Sequence, residues 1–478
     1  MNGRCSNTGG NRDALSGNQS GFGSRTTDHR SRLHTSRIQL LTIVTVVAAH
    51  VSFTAAQGNT RKQENWVPTW GTAQQLVRTP APTLPTGQPP QTTMPGLAAT
   101  STTAQRGRGP AGAAFRVTTF SNQTVRMIVR TSIGGRRARV KLSNAFGSAP
   151  VLVGAAHLAK RGTGAAIVAG TDRTLTFAGK ASFTMMPGVV VVSDPVDIDV
   201  PAVGDLAVSL YLPTETGPPT AHATALHTTY ISTEGDFTGQ SEFPLAGTTQ
   251  QYYWVSSIEV DAPADAAAIV TFGDSITDGA RSTPDTNNSW PALLAARLTA
   301  DKATANISVV NEGIGGNRLF TDAVGLAGVS ALARLDRDVF SHPGVKWLMI
   351  LEGINDIGGL ASTTATQVTQ DDLIWVLQQV IDRAHAHGIK VIGCTLTPYE
   401  GAGYARENGE AIRAGINQWI RTSGAFDGVV DFEAATRDPN NPKRFRPDFD
   451  PGDHLHPNDG GYKAMADAID LSMFKSKK

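Results

Sequence analysis

Cysteine is nearly missing from this chain. Its 478 residues include two, Cys5 and Cys394. A disulfide framework is therefore excluded as the source of stability. Charge is sparse as well. Asp, Glu, Lys and Arg make up 17%, with a formal net charge of +1. That balance excludes nucleic acid as the main partner, because a polyanion needs a basic face. No H-E-x-x-H motif occurs, so the usual zinc-hydrolase signature is absent. A long uninterrupted apolar run is lacking too. The nearest, "IQLLTIVTVVAAHVSFTAAQ", is broken by His50, which disfavours a stable membrane span.

What is present points to a turn-rich globular protein: 40% hydrophobic residues, 49 Gly and 26 Pro. The length exceeds one ordinary core and favours two domains. Residues 1–37 are polar and rich in Gly, Ser and Arg. The apolar run follows Arg30, Arg32 and Arg37 and exits through Thr54, Ala55 and Ala56. A basic flank, a short apolar core and a small-residue exit are the parts of a secretory signal. Residues 1–56 are expected to be a polar leader plus signal, cleaved after Ala56, with a secreted or periplasmic product. An uncleaved N-terminal anchor is the alternative. Cleavage removes six Arg, two Asp and Cys5, leaving a net charge of −3. Cys394, in the strand-like "IKVIGCTL", is then a small core residue with no partner for a bridge.

Residues 57–262 read as an all-β domain of sandwich or jelly-roll type. Its segments are "TVRMIVRTSI", "ARVKLSNA", "RTLTFAG", "GVVVVSDPV", "LAVSLYLP" and "QYYWVSSIEV". Trp66 and Trp70 begin it, before a Pro/Thr/Gly-rich loop at 78–113 interrupts. From 263 to 478 the grammar changes. Strand-like runs at 268–272, 307–311, 346–353, 389–396 and 428–432 alternate with helical stretches near 289–300, 326–338, 371–387, 408–422 and 460–473. In one of them Leu373, Ile374, Leu377, Val380, Ile381 and Ala384 form a single apolar stripe, and Gly388 closes the helix. Such alternation implies a parallel sheet covered on both faces. Sites in these sheets gather beyond the carboxyl ends of the strands.

At those ends lie "TFGDSITDG", "NEGIGGNR", "LEGINDIGG" and, after the last strand, "GDHLHPND". Singly, each is weak. A Ser in a strand-to-helix turn can be only a cap, Gly only a tight turn, and Asn only a helix start. The last stretch, with Asp450, Asp453, His454, His456 and Asp459, reads equally as a metal cluster, part of a catalytic triad or a polar loop. Together they hold a nucleophile, a base with an orienting acid, and oxyanion donors, which is the set that ester hydrolysis needs.

The ordered blocks GDSIT, NEGIGGN, GIND and DHLH resemble the SGNH (GDSL-type) hydrolases over residues 265–473. Longer matching stretches resemble the branch with an extra N-terminal β-domain, which includes arylesterase-like and carbohydrate acylesterase-like proteins. The resemblance implies a flavodoxin-like three-layer α/β/α fold. It implies Ser275 as nucleophile, His456 as base and Asp453 as its orienting acid. The oxyanion donors would be the backbone N–H groups of Ser275 and Gly316 and the amide of Asn355. Gly316 fits because it lies five residues after Asn311, and Gly315 is the fallback. Asp274 and Asp356 are expected to support loops by accepting backbone N–H groups. No metal and no cofactor is implied.

A metal hydrolase built on Asp450, Asp453, His454 and His456 leaves Ser275, Gly316 and Asn355 without a purpose. Another rival is a carbohydrate-binding protein with an inactive hydrolase domain. Trp66, Trp70, Tyr252, Tyr253 and Trp254 could stack on sugars, or they could be the core of the β-domain. Acyl transfer to a sugar hydroxyl would use the same site as hydrolysis. The preferred substrate is a short acyl ester, such as an acetyl group on a polysaccharide. No long apolar lid segment favours a lipid.

Overall fold

The run Ala267–Gly273 is buried at every position, the pattern of a strand covered on both faces. It sits inside a five-stranded parallel sheet. Across the sheet the order is Ile307–Gly313, Ala267–Gly273, Val345–Leu351, Lys390–Cys394 and Gly428–Val430. In chain order this is 2-1-3-4-5, the flavodoxin-like arrangement. The order reverses at Ala267–Gly273, so a crevice opens beyond Gly273. Helices Trp290–Ala300 and Asp459–Asp467 pack together, as do Gln370–Ala386 and Glu407–Thr422.

A computed structural model describes residues 64–76, 119–323, 325–358 and 368–475. The expected leader and signal (1–56) and the loop at 78–113 lie outside the described residues. Among the described residues no helix is long and apolar enough to cross a membrane.

Four elements differ from expectation. The helical stretch placed at 326–338 begins only at Ala331. The Asn317 amide takes the carbonyls of Ala327 and Val329, so those residues cannot start a helical ladder. The last helix ends at Asp467, and Leu471–Phe474 forms a separate 3₁₀ turn. The "RTLTFAG" strand shrinks to Arg173–Thr174, because Phe177 and Lys180 exchange backbone hydrogen bonds across a tight turn. On helix Gln370–Ala386, Val376 is buried while Ile374 is half-buried, so the stripe turns slightly from the expected one.

Before residue 262 the sheets are antiparallel. One runs Leu245–Thr249, Thr229–Glu234, Gln123–Arg130, Asp205–Leu212, Ala155–Lys160, Arg173–Thr174. A second pairs Trp66–Gly71 with Val255–Asp261 and that strand with Gly135–Ser143. The latter also pairs with Val190–Val192 and Val196–Val200. Most buried apolar residues of these sheets and of the parallel sheet form one continuous core, and Ile128, Ala159, Ile167 and Ala207 form a smaller cluster of their own. Trp70, Tyr252, Tyr253 and Trp254 belong to the continuous core, so these four rings present no stacking face to solvent. Gly71 lets the second sheet approach the Ile307–Gly313 strand. A Cβ there would lie 2.3 Å from Val310 Cγ1 and 2.8 Å from Glu312 Oε1. Across the same contact, the Val309 N–H donates to Ser132 Oγ at 3.1 Å.

Candidate active site

The crevice beyond Gly273 is furnished by four chain segments. The Ala267–Gly273 strand passes into a four-residue helix, Ser275–Asp278, that carries Ser275. Asp274 starts this helix: its Oδ1 accepts the Ile276 N–H at 2.9 Å. Ser275 is thereby held at the first helical position, where its own N–H points away from the helix. No acceptor among the described residues meets that N–H.

From the loop after the last strand come Asp453 and His456. Ser275 Oγ lies 2.8 Å from His456 Nε2, and His456 Nδ1 lies 3.0 Å from Asp453 Oδ2. Asp453 Oδ1 also accepts the backbone N–H groups of Leu455 (3.1 Å) and His456 (3.0 Å). The intervening His454 has φ 58°, a left-handed conformation that closes this short turn. Partial burial works against the Asp453 charge. The hydrogen bonds and charge of His456 outweigh it, and the carboxyl is held well below the usual carboxylate range. A serine hydroxyl bonded to an imidazole that is itself held by a carboxylate can pass its proton to that ring as it attacks.

The second strand delivers the glycine loop. Gly315 donates its N–H to Asp278 Oδ2 at 3.2 Å. Gly316 has φ 78°, a conformation that favours glycine, and its N–H meets no acceptor among the described residues. Of the two glycines weighed from the sequence, Gly316 thus has the free donor. The third strand leads through Gly353 into Ile354–Gly358, which carries Asn355 and Asp356. Asn355 Nδ2 donates to the Asn317 carbonyl at 2.9 Å, and its Oδ1 accepts from Tyr404 Oη at 3.3 Å. With its oxygen turned to Tyr404, the amide keeps a second N–H to offer. Asp356 accepts the N–H groups of Leu319 (2.7 Å) and Phe320 (3.0 Å), tying the glycine loop to the third strand.

Burial raises both flanking carboxyls. Asp274 is pushed up to about 7 and Asp356 to about 6, chiefly by desolvation, which the backbone hydrogen bonds oppose. The other residues once considered as metal ligands are used differently. Asp450 accepts the His454 backbone N–H at 3.1 Å and faces the same residue's Nδ1. Asp453 is taken by His456. Asp459 accepts from Thr283 and Asn288. Among the described residues no three His, Cys, Asp or Glu side chains converge as a metal site.

Several residues of this region escaped the sequence reading. Arg281 donates from Nε to Asp453 Oδ2 at 2.7 Å. Arg334 is fully buried. It donates to the carbonyls of Gly273 (2.9 Å) and Glu312 (2.7 Å) and to the Asn317 side-chain oxygen (2.9 Å), clamping the ends of the first two strands. An Arg on the apolar side of a helical stretch, four residues before Asp338, was the available signal. Tyr404 left no such signal, because its partner Asn355 is 49 residues away.

Residues 271–464 match the GDSL-like lipase/acylhydrolase family. The chain is similar to several solved structures. An acetyl xylan esterase, AlAXEase, is 25% identical over 42% of this chain and 96% of its own, with a TM-score of 0.33. An acetyl xylan esterase from Geobacillus stearothermophilus is 24% identical over 44% and 97%, also at 0.33. An α/β hydrolase from the metagenome of Lake Arreo, Spain, is 22% identical over 44% and 95%, at 0.34. No curated protein matched the sequence. The parallel sheet, the crevice at its switch point and the matched residues all coincide, and this part of the chain belongs to the GDSL-like lipase/acylhydrolase family of ester hydrolases.

Proposed function

We propose that the protein is a secreted serine esterase that removes short acyl groups through an acyl-enzyme intermediate. One observation carries the reading: His456 joins the Ser275 hydroxyl to the Asp453 carboxylate in one hydrogen-bond chain, and the N–H groups of Ser275 and Gly316, at the ends of adjacent strands, meet no acceptor among the described residues. Ser275 Oγ attacks the ester carbonyl carbon while its proton passes to His456 Nε2. The carbonyl oxygen, now negative, receives the N–H groups of Ser275 and Gly316 and the amide of Asn355. The tetrahedral species collapses, and the alcohol leaves with the proton from His456. Water then gives a proton to His456 and attacks the acyl carbon. Collapse releases the carboxylic acid and returns the proton to Ser275 Oγ. Asp453 remains ionised throughout and holds the ring through Nδ1–H.

Ser275→Ala tests this reading. A loss of at least about 10⁴-fold in kcat/KM on p-nitrophenyl acetate is expected, with an unchanged melting temperature. A serine-directed organophosphate should add one covalent mass, mapped to Ser275. A variant that keeps more than a few per cent of the activity overturns the assignment.

For the substrate, an acylated polysaccharide is favoured by an exposed aromatic pair. Phe320, tied through its N–H to Asp356, meets Trp375 edge to face at 6.4 Å between ring centroids. Both rings are exposed, and exposed apolar surface beside a site marks a place of contact. Trp375→Ala should raise KM on acetylated xylan and leave KM on p-nitrophenyl acetate unchanged. Equal effects on both substrates would remove the aromatic pair from the substrate path. Export is supported by the basic flank and apolar run before Ala56. N-terminal sequencing of exported protein should read from Gln57.

A further inference from the structure

We propose that His222, a residue of the antiparallel half, positions the oxyanion loop of the hydrolase site through Asp278. The inference rests on the reading that Gly316 donates to the oxyanion. His222 lies on the short strand Ala221–His222, which pairs with Tyr252–Tyr253. Its ring is buried. Nδ1 is 2.8 Å from the Ala73 carbonyl oxygen and Nε2 is 3.1 Å from Asp278 Oδ1. The Ala73 carbonyl only accepts, so Nδ1 carries a proton and donates to it, while Nε2 meets Asp278 in a buried hydrogen bond. The charged form of the ring makes an ion pair with Asp278. Burial opposes that charge, but Asp278, the Ala73 carbonyl and Glu312 together outweigh it and raise the His222 pKa.

The pair acts on two parts of the site at once. Asp278 closes the same four-residue helix that Ser275 opens. Its second oxygen, Oδ2, accepts the Gly315 N–H. A single carboxylate thus holds the nucleophile's helix against the glycine loop, and it occupies the Gly315 N–H while that of Gly316 meets no acceptor among the described residues. Without His222, Asp278 keeps a buried charge with one acceptor oxygen unmet. It can then rotate away from Gly315 or take up water. In either case Gly316 moves relative to Ser275, and displacement of a donor by about 1 Å costs on the order of 10²-fold in rate. Substrate binding does not depend on the oxyanion contact in the same degree, because that contact strengthens only in the transition state.

The test compares His222→Ala and Asp278→Ala with the unaltered enzyme on p-nitrophenyl acetate. Rates are normalised to active sites counted by titration with a p-nitrophenyl phosphonate. Asp278→Ala removes both acceptor oxygens, so this variant too breaks the link. Both variants should lose about 10- to 100-fold in kcat per titrated site, with KM within twofold. His222→Gln, which keeps one N–H donor toward Asp278, should recover part of the loss. Ser132→Ala, in the same contact between the halves, is the structural comparison. It should lower the melting temperature and leave kcat per site unchanged. A kcat per site within twofold of the parent in whichever of His222→Ala and Asp278→Ala folds overturns the proposal. Activity retained by Ser275→Ala sinks the nucleophile reading itself. An inactive Ser275→Ala beside a fully active His222→Ala removes only the role of His222.

Discussion

At the scale of single residues, Asp274 shows how a group can be legible in position and not in state. Its place before Ser275 marks it as a helix start, and its Oδ1 serves that purpose. The other oxygen, Oδ2, has no hydrogen-bond partner among the described residues. Its burial, with Asp356 nearby, comes from segments distant in sequence, which no local pattern reveals. With its pKa raised to about 7, the native state binds a proton more tightly than the unfolded chain, whose carboxyl titrates near 3.9. Its favourable contribution is therefore complete below about pH 4 and is lost as pH rises toward 7. Asp274→Asn keeps an oxygen for the Ile276 N–H and removes the charge. Its melting temperature relative to the parent should rise between pH 5 and pH 8, read by scanning calorimetry. A difference that stays constant over that range would show that the carboxyl carries no such penalty.

At the scale of elements, the helices were legible where their own residues decide them. Gln370–Ala386 begins with a reciprocal cap. Asp372 donates its N–H to Thr369 Oγ1 at 3.1 Å, and the Thr369 N–H donates to Asp372 Oδ2 at 2.9 Å. Gly388, at φ 70°, ends it as its position after the apolar stripe predicts. Thr369→Ala should therefore cost about 1 kcal/mol in chemical unfolding while leaving kcat unchanged. A change in kcat would mean that this helix start reaches the site. The helix at Ala331 was misplaced for the opposite reason. Its start is set by Asn317, which lies outside the helix and on the glycine loop. Residues that serve the site here override local propensity.

At the scale of the whole molecule, the two halves share one core, and the fit depends on the bare backbone of Gly71. Heat should unfold residues 64–475 in a single transition, with calorimetric and van't Hoff enthalpies that agree. Gly71→Val would force its side chain into Val310 and Glu312. The expected cost is about 1–3 kcal/mol, as for other overpacked cores, seen as a lower melting temperature. Two separate transitions in the parent protein would instead mean that the halves fold independently. The grammar of the sequence changes near residue 262, and the last antiparallel strand ends at Asp261 before the parallel sheet begins at Ala267. That change says nothing of how firmly the sheets join, because the contacts that join them pair residues far apart in sequence, such as Ser132 with Val309.

The sequence by itself determined the alternation of strands and helices and which residue types, Ser, Gly, Asn, Asp and His, fall at the strand ends. These follow from patterns within a few residues: apolar runs, glycine turns, and the three-residue step from Asp453 to His456. Only the tertiary structure decided which glycine keeps a free N–H, that Arg334 clamps two strand ends, and that His222 reaches Asp278 from the other half. Each of those rests on a hydrogen bond between distant segments. Such a bond has a direction and a length only once the chain has closed around it.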